Sequence, residues 1–186
     1  TNQINAAASY AQFALKHLSP DQPLWRSLTL LIHGDVHAFY GHVPTCEEIW
    51  GEALRQAEIA NSLFFTLLAS AKLVVAQKRL GQLQKAAQTF ETQIHHAAQN
   101  GFPQMAVAGA LYAVYGDILL EWNRVDEALE YIQRGLSLSE RQNYVAGIAW
   151  SSISLIHAHF AKLDMDGGNA LIERDIQGGK EVIQSS

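Results

Sequence analysis

Between residues 125 and 136 the aliphatic positions are Val125, Ala128, Leu129, Ile132 and Leu136. They recur at i, i+3, i+4 and i+7, the stripe that one buried face of a helix presents. The segment is not unique. HGDVHAFYGHVPTCEEIWGEAL, residues 33–54, superposes on YGDILLEWNRVDEALEYIQRGL, residues 115–136, with the Gly-Asp pairs in register. Val43 then falls on Val125, Cys46 on Ala128 and Trp50 on Ile132. In both, a small residue follows the glycine by twelve and a large apolar residue comes four later. Residues 73–90 fit the same frame through Leu83, Ala86 and Phe90, and residues 155–172 through Met165, Gly168 and Ile172. At the front, Ile4, Ala7 and Ala11 supply only the second half of a unit.

The small positions Ala7, Cys46, Ala86, Ala128 and Gly168 are separated by 39, 40, 42 and 40 residues. Such regular spacing points to a repeat in which each unit is a pair of amphipathic helices. The pattern predicts an all-α fold of about nine helices without a sheet. These would form a right-handed superhelix of antiparallel pairs, in repeats of about 40 residues, over residues 1–175, with a C-terminal tail at 176–186. SPDQP at 19–23 and NGFP at 100–103 mark stops, and Gly41 and Gly81 fall between the first and second helices of a unit. Antiparallel helices approach closely only where one presents little side chain, which gives the small positions, and Gly34 and Gly116 opposite them, a packing role. Cys46 is then a small buried hydrophobe, and Gln88 an exposed control beside the stripe.

HGDVH at 33–37 places two imidazoles four residues apart on one helical face, the spacing of paired metal ligands. The repeat frame supplies another reading. His33 aligns with Tyr115 and His37 with Leu119, positions that face neighbouring helices. Zinc needs further ligands, and the metalloprotease glutamate is replaced by Gly34. The expectation is a packed pair, no metal and no cofactor, with His95 and His96 on the surface.

Composition changes this picture little. The single cysteine excludes an internal disulfide and suits a reducing cytoplasm. No apolar run is long enough to span a bilayer. Net charge is −5, unevenly spread: three basic and six acidic side chains in residues 1–60, four and one in 61–100, six and eleven in 101–186. The positive middle, with Lys72, Lys78, Arg79 and Lys85, reads as a solvated face. Without a long basic stripe, direct nucleic-acid contact is not expected. Nor is an enzyme: no G-x-S-x-G and no defensible carboxylate pair appear.

YAVYGDILLEWNRVDEALEYI, residues 112–132, resembles a tetratricopeptide repeat. The long leucine- and alanine-rich units, with turns such as GQLQKAAQTF and NRVDEALEYI, resemble the tetratricopeptide-like sensor region of MalT-type regulators. Those are large ATP-dependent LuxR-family transcription activators of bacteria. The resemblance covers residue 1 to about 175, and it implies an effector-sensing or partner-docking segment of a longer regulator. In that family the region lies between a nucleotide-binding module and a helix-turn-helix. GGKE at 178–181 lacks the phosphate-loop spacing, so the segment itself is expected neither to hydrolyse ATP nor to bind DNA.

In stacked helix pairs the first helices line the concave surface. The frame places Leu31, Asp35 and Phe39 there, with Ala71, Val75, Lys78 and Arg79 in the next unit. Ala113, Asp117 and Glu121 follow, then Trp150, Ile153, His157 and Phe160. Acids, bases and aromatic plates together suit a polar small molecule or a peptide rather than a membrane. The alternative is a generic tetratricopeptide interaction scaffold unrelated to transcription. The front half-unit, with Tyr10 and Phe13, and the glycine pair Gly167-Gly168 do not read as polar caps, which predicts weak self-association through the ends or terminal fraying.

Overall fold

The computed structural model describes residues 2–100 and 104–162. Eight helices follow one another: α1 (Asn2–His17), α2 (Pro23–Phe39), α3 (Val43–Ile59), α4 (Leu63–Arg79), α5 (Leu83–Gln99), α6 (Ala106–Glu121), α7 (Val125–Glu140) and α8 (Val145–Ala161). Among the described residues there is no strand. The expected ninth helix, with Met165, Gly168 and Ile172, and the tail at 176–186 lie outside them.

One device ends five of these helices. Gly41, Asn61, Gly81, Asn123 and Asn143 all have positive φ, between 50° and 76°. At each, the following N–H reaches back five residues: His42 to His37 O, Ser62 to Ala57 O, Gln82 to Gln77 O, Arg124 to Leu119 O and Tyr144 to Ser139 O, at 2.8–3.1 Å. This left-handed cap satisfies the last carbonyls and reverses the chain within three or four residues. Gly41, Asn61 and Gly81 are 20 residues apart, as are Asn123 and Asn143, so the caps repeat at half the unit length. No side-chain hydrogen bond caps the N-terminus of α2 to α8; α2 starts on Pro23, and α3 has Pro44 at its second position. Arg26 closes α1, donating from Nη1 to Leu18 O at 3.0 Å and Leu15 O at 3.4 Å.

The chain divides into two compact units, Thr1–Pro103 and Gln104–Ser186, at the predicted NGFP stop. In the first, each of α1 to α5 packs on the next, and α2 also touches α4. Its core joins Leu30, Leu31, Cys46, Trp50, Ala53, Leu54, Leu73 and Ala76. Gly34 makes room for Trp50: a Cβ there would strike the indole. The indole N–H donates to Leu31 O at 3.4 Å, and the Cys46 thiol to Gly34 O at 3.6 Å. Burial pushes the pKa of Cys46 up, against the pull of Arg79, so it stays a protonated, inert thiol.

In the second unit α6, α7 and α8 each pack on the other two. From Ala106 to Gly116 every α6 side chain is buried, because neighbours cover it on more than one side. Ile132 lies over Gly116, the same relation that Trp50 has to Gly34. Gly109 and Gly135 bring the α6 and α7 backbones together, with Ser139 donating to Gly135 O at 3.0 Å. Of the small anchors, Cys46, Ala86 and Ala128 are buried and Ala7 half-buried. Each large side chain buried beside them, Ile132 for instance, contributes about 1.5–3 kcal/mol relative to exposure.

Candidate functional site

The predicted groove residues divide by unit. In the first, Asp35 on α2 accepts an ion pair from Lys72 on α4, Nζ to Oδ1 at 2.6 Å. The same ammonium stands 5.5 Å from the centre of the Trp50 ring. Lys72, read from sequence as part of a solvated face, is thus the base that meets Asp35. Phe39 is 63% exposed at the end of α2, edge-on to Tyr40 at 5.3 Å. The Tyr40 hydroxyl donates to Asn5 Oδ1 at 2.6 Å, tying this end of α2 to α1. Lys78 is half-buried and Arg79 exposed in the last turn of α4, where cations favour the helix dipole.

In the second unit Asp117 is half-buried and Glu121 exposed on α6. On α8 Trp150 is half-buried, while Ile153, His157 and Phe160 are exposed. Three groove assignments fail: Leu31, Ala71 and Ala113 are buried against neighbouring helices and present nothing to a ligand. α6 and α7 also build an aromatic group that the sequence did not disclose. Tyr131 packs on Tyr115 and Tyr112 at 4.8 and 6.1 Å, and the Arg134 guanidinium lies 4.4 Å over the Tyr112 ring. Burial raises the Tyr112 pKa, with Arg134 opposing, so its hydroxyl stays neutral.

The histidines of HGDVH pack as a pair, ring centres 4.9 Å apart and edge to face. His37 Nδ1 lies 3.4 Å from His42 Nδ1. Burial, then the neighbouring charge of His37, lowers the pKa of His33. Among the described residues no group of three or more His, Cys, Asp or Glu side chains is placed to hold a metal ion.

A second feature went unpredicted. Glu58, Asn61, Leu63, Thr66, Thr92, Gln93, His96 and Asn100 line a cleft of about 410 Å³ at one end of α3, α4 and α5. Gln93 donates from Nε2 to Glu58 Oε1 at 2.9 Å. Asn100 bonds back to His96 O at 2.8 Å, turning the end of α5 toward the opening. His96 is therefore half-buried in a cleft wall rather than a surface residue like His95. The available signal was Gln93 itself: it continues the stripe Ala86, Phe90 and Ala97, where an apolar residue is ordinary.

No helix among the described residues is long and apolar enough to cross a membrane. Comparison with solved structures shows the fold. A structure of BtubC (BKLC) from P. vanneervenii aligns with a TM-score of 0.69 at 18% identity, over 96% of this chain and 75% of that one. Tetratricopeptide-like repeats of a kinesin light chain from Podosopora anserina align at 0.62 and 16% identity, over 98% and 87%. The helix pairs are thus an all-α, tetratricopeptide-like fold. Among curated proteins, the HTH-type transcriptional regulator MalT of Yersinia pestis (strain Pestoides F) is 24% identical over 172 residues. The match covers 90% of this chain and 18% of that protein. The same figures hold for MalT of Yersinia pseudotuberculosis serotype O:3 (strain YPIII), so this chain spans about a fifth of the relatives it matches. Residues 1–177 match the family described as the MalT-like TPR region, and the chain belongs to that family.

Proposed function

We propose that this chain is the effector-sensing or partner-docking segment of a MalT-type transcription regulator, and that it works by binding rather than catalysis. The match of residues 1–177 to the MalT-like TPR region carries this reading. The repeat domain would occupy residues 1–175, with 176–186 as a tail, in a cytoplasmic protein. The first helices of each pair would take the ligand. In the first unit these are Asp35, Phe39, Lys78 and Arg79; in the second they are Asp117, Glu121, Trp150, His157 and Phe160. Ligand bound there would favour one arrangement of the helix pairs, and so bias whatever adjoins the segment.

The polarity of these positions supports a polar effector. Asp35 and Lys72 hold opposite charges at 2.6 Å, and Phe39, one turn further along α2, exposes its ring, so hydroxyl, amide and apolar groups of a small molecule would find partners. The exposed rings of Tyr10, Phe13 and Trp25 favour a second reading, a protein-docking scaffold or weak association with another copy through α1. A thermal-shift screen with sugars, amino acids, nucleotides and short peptides separates the two. An effector that binds only the folded state raises the melting temperature. For such an effector, Asp117→Ala or Trp150→Ala weakens binding by about tenfold without loss of helical content. Unchanged affinity in both variants would remove the second-unit residues from the site.

A further inference from the structure

We propose that the cleft at the end of α3, α4 and α5 binds a small organic ammonium ion, a primary amine of the size of an amino acid or a diamine. The proposal adds a site to the groove reading above and does not rest on it.

The orientation of one amide carries the argument. An ionised carboxylate only accepts, so the 2.9 Å bond from Gln93 Nε2 to Glu58 Oε1 fixes which way the Gln93 amide faces. Turning it over would set two acceptors against each other. Gln93 Oε1 is therefore held inside, on a residue only 5% exposed, and no donor among the described residues reaches it. Three residues further along α5, Nδ1 of His96 is buried and likewise lacks a partner. Buried polar atoms are nearly always satisfied, and two without a partner on residues that line one cleft call for a ligand that supplies hydrogen.

Charge and shape select among donors. Among the described lining residues Glu58 is the one carboxylate, and no lysine or arginine joins it. A carboxylate or phosphate ligand would meet the Glu58 charge with no described cation of the lining to offset it. Among the described lining residues there is no phenyl, phenol or indole ring for a sugar to stack on. An ammonium group has three N–H donors and no acceptor. These match Gln93 Oε1, His96 Nδ1 in the tautomer protonated at Nε2, and the Glu58 carboxylate. Leu63 offers an apolar contact to the carbon stem, and Asn61, Thr92 and Asn100 offer polar groups for its far end. The volume, about 410 Å³, lies at the small end of the range for ligand sites.

The test is a titration of the full 186-residue chain with 1,4-diaminobutane, followed by calorimetry and by the side-chain amide resonance of Gln93 in NMR. Saturable single-site binding that moves this resonance is expected. Gln93→Met and Glu58→Gln should each weaken it about tenfold or more. Glu58 is exposed, so its variant keeps the test decisive if Gln93→Met does not fold. Asp35→Ala should leave amine binding unchanged, which separates this site from the groove. The proposal is overturned by no saturable binding at millimolar amine. It is equally overturned by binding that survives both substitutions, or by glycerol or acetate binding as well as the amine.

Discussion

Each unit carries a Gly-Asp step inside a first helix, in α2 and in α6, and the two differ in what surrounds it. In the first, Gly34 receives a side chain, the Trp50 indole, and polar bridges span the helices beyond it. Asp35 meets Lys72 at 2.6 Å, Glu47 meets Lys85 at 2.5 Å, and Glu58 meets Gln93 at 2.9 Å. In the second, Gly116 receives Ile132 in the same way, but backbone also meets backbone: a Cβ on Gly135 would lie 2.5 Å from the carbonyl oxygen of Gly109. One repeat frame therefore admits two solutions. A side-chain seat holds α2 on α3 in the first unit. A backbone seam draws α6 onto α7 in the second, and α8 covers more of α6.

The difference predicts unequal tolerance. Gly135→Ala forces a methyl group against a carbonyl that no rotamer change can move. It should cost about 3 kcal/mol or more in urea unfolding. Gly34→Ala meets a side chain rather than backbone, and should cost about 1–3 kcal/mol. Neither loss is rescued by the gain of about 1 kcal/mol that alanine brings to a helix interior. Gly51 isolates that gain: a Cβ there has nothing within 4 Å, so Gly51→Ala should stabilise. If Gly34→Ala proves costlier than Gly135→Ala, the contrast between side-chain seat and backbone seam is wrong.

A smaller effect sharpens the frame the units share. Ala128 is wholly buried, and its carbonyl lies 3.1 Å from where a Gly116 Cβ would stand. Ala128→Leu should cost about 1–3 kcal/mol by overpacking the α6–α7 seam. Gln88→Leu, on the exposed face of α5, should change stability by no more than about 0.5 kcal/mol. Comparable costs at the two positions would mean that the small residues do not set the approach of the helices.

Much of the fold was legible because its causes are local. The 3.6-residue stripe and the need for a small residue where helices meet both act over a few turns, so Cys46, Ala86 and Ala128 stand out in the sequence. Gly41 and Gly81 were legible as turns, but Asn61, Asn123 and Asn143 adopt the same left-handed backbone. Asparagine tolerates that region through its short polar side chain, and it announces a cap less plainly than glycine. The site was harder to read because its partners are distant in sequence. Lys72 reaches Asp35 across 37 residues, and Glu58 reaches Gln93 across 35. Periodicity tells which face of a helix turns inward, but not how far a neighbour covers it. Leu31, Ala71 and Ala113 were therefore placed on a groove and proved to be core.

The smallest expected effect belongs to the first unit alone and concerns protons. His33 is half-buried beside His37, and burial first, then the His37 charge, holds its pKa below the ordinary value. In the unfolded chain the same imidazole takes a proton at about pH 6.5. Below that pH the unfolded state binds more protons than the folded one, so stability falls with acidification. The contribution of a neutral His33 is fully present above about pH 6.5 and is lost as pH falls through the lowered folded value. His33→Gln should therefore lose less stability than the parent chain between about pH 7 and 5, by less than any core substitution above, because water still reaches the ring. Salt discriminates between the two causes. At 1 M the screening length is about 3 Å, which weakens the His37 contribution and leaves burial in place. The difference between parent and variant should shrink but persist. Its complete loss in salt would make His37, not burial, the main cause, and identical pH profiles without salt would mean that His33 is as well hydrated in the fold as outside it.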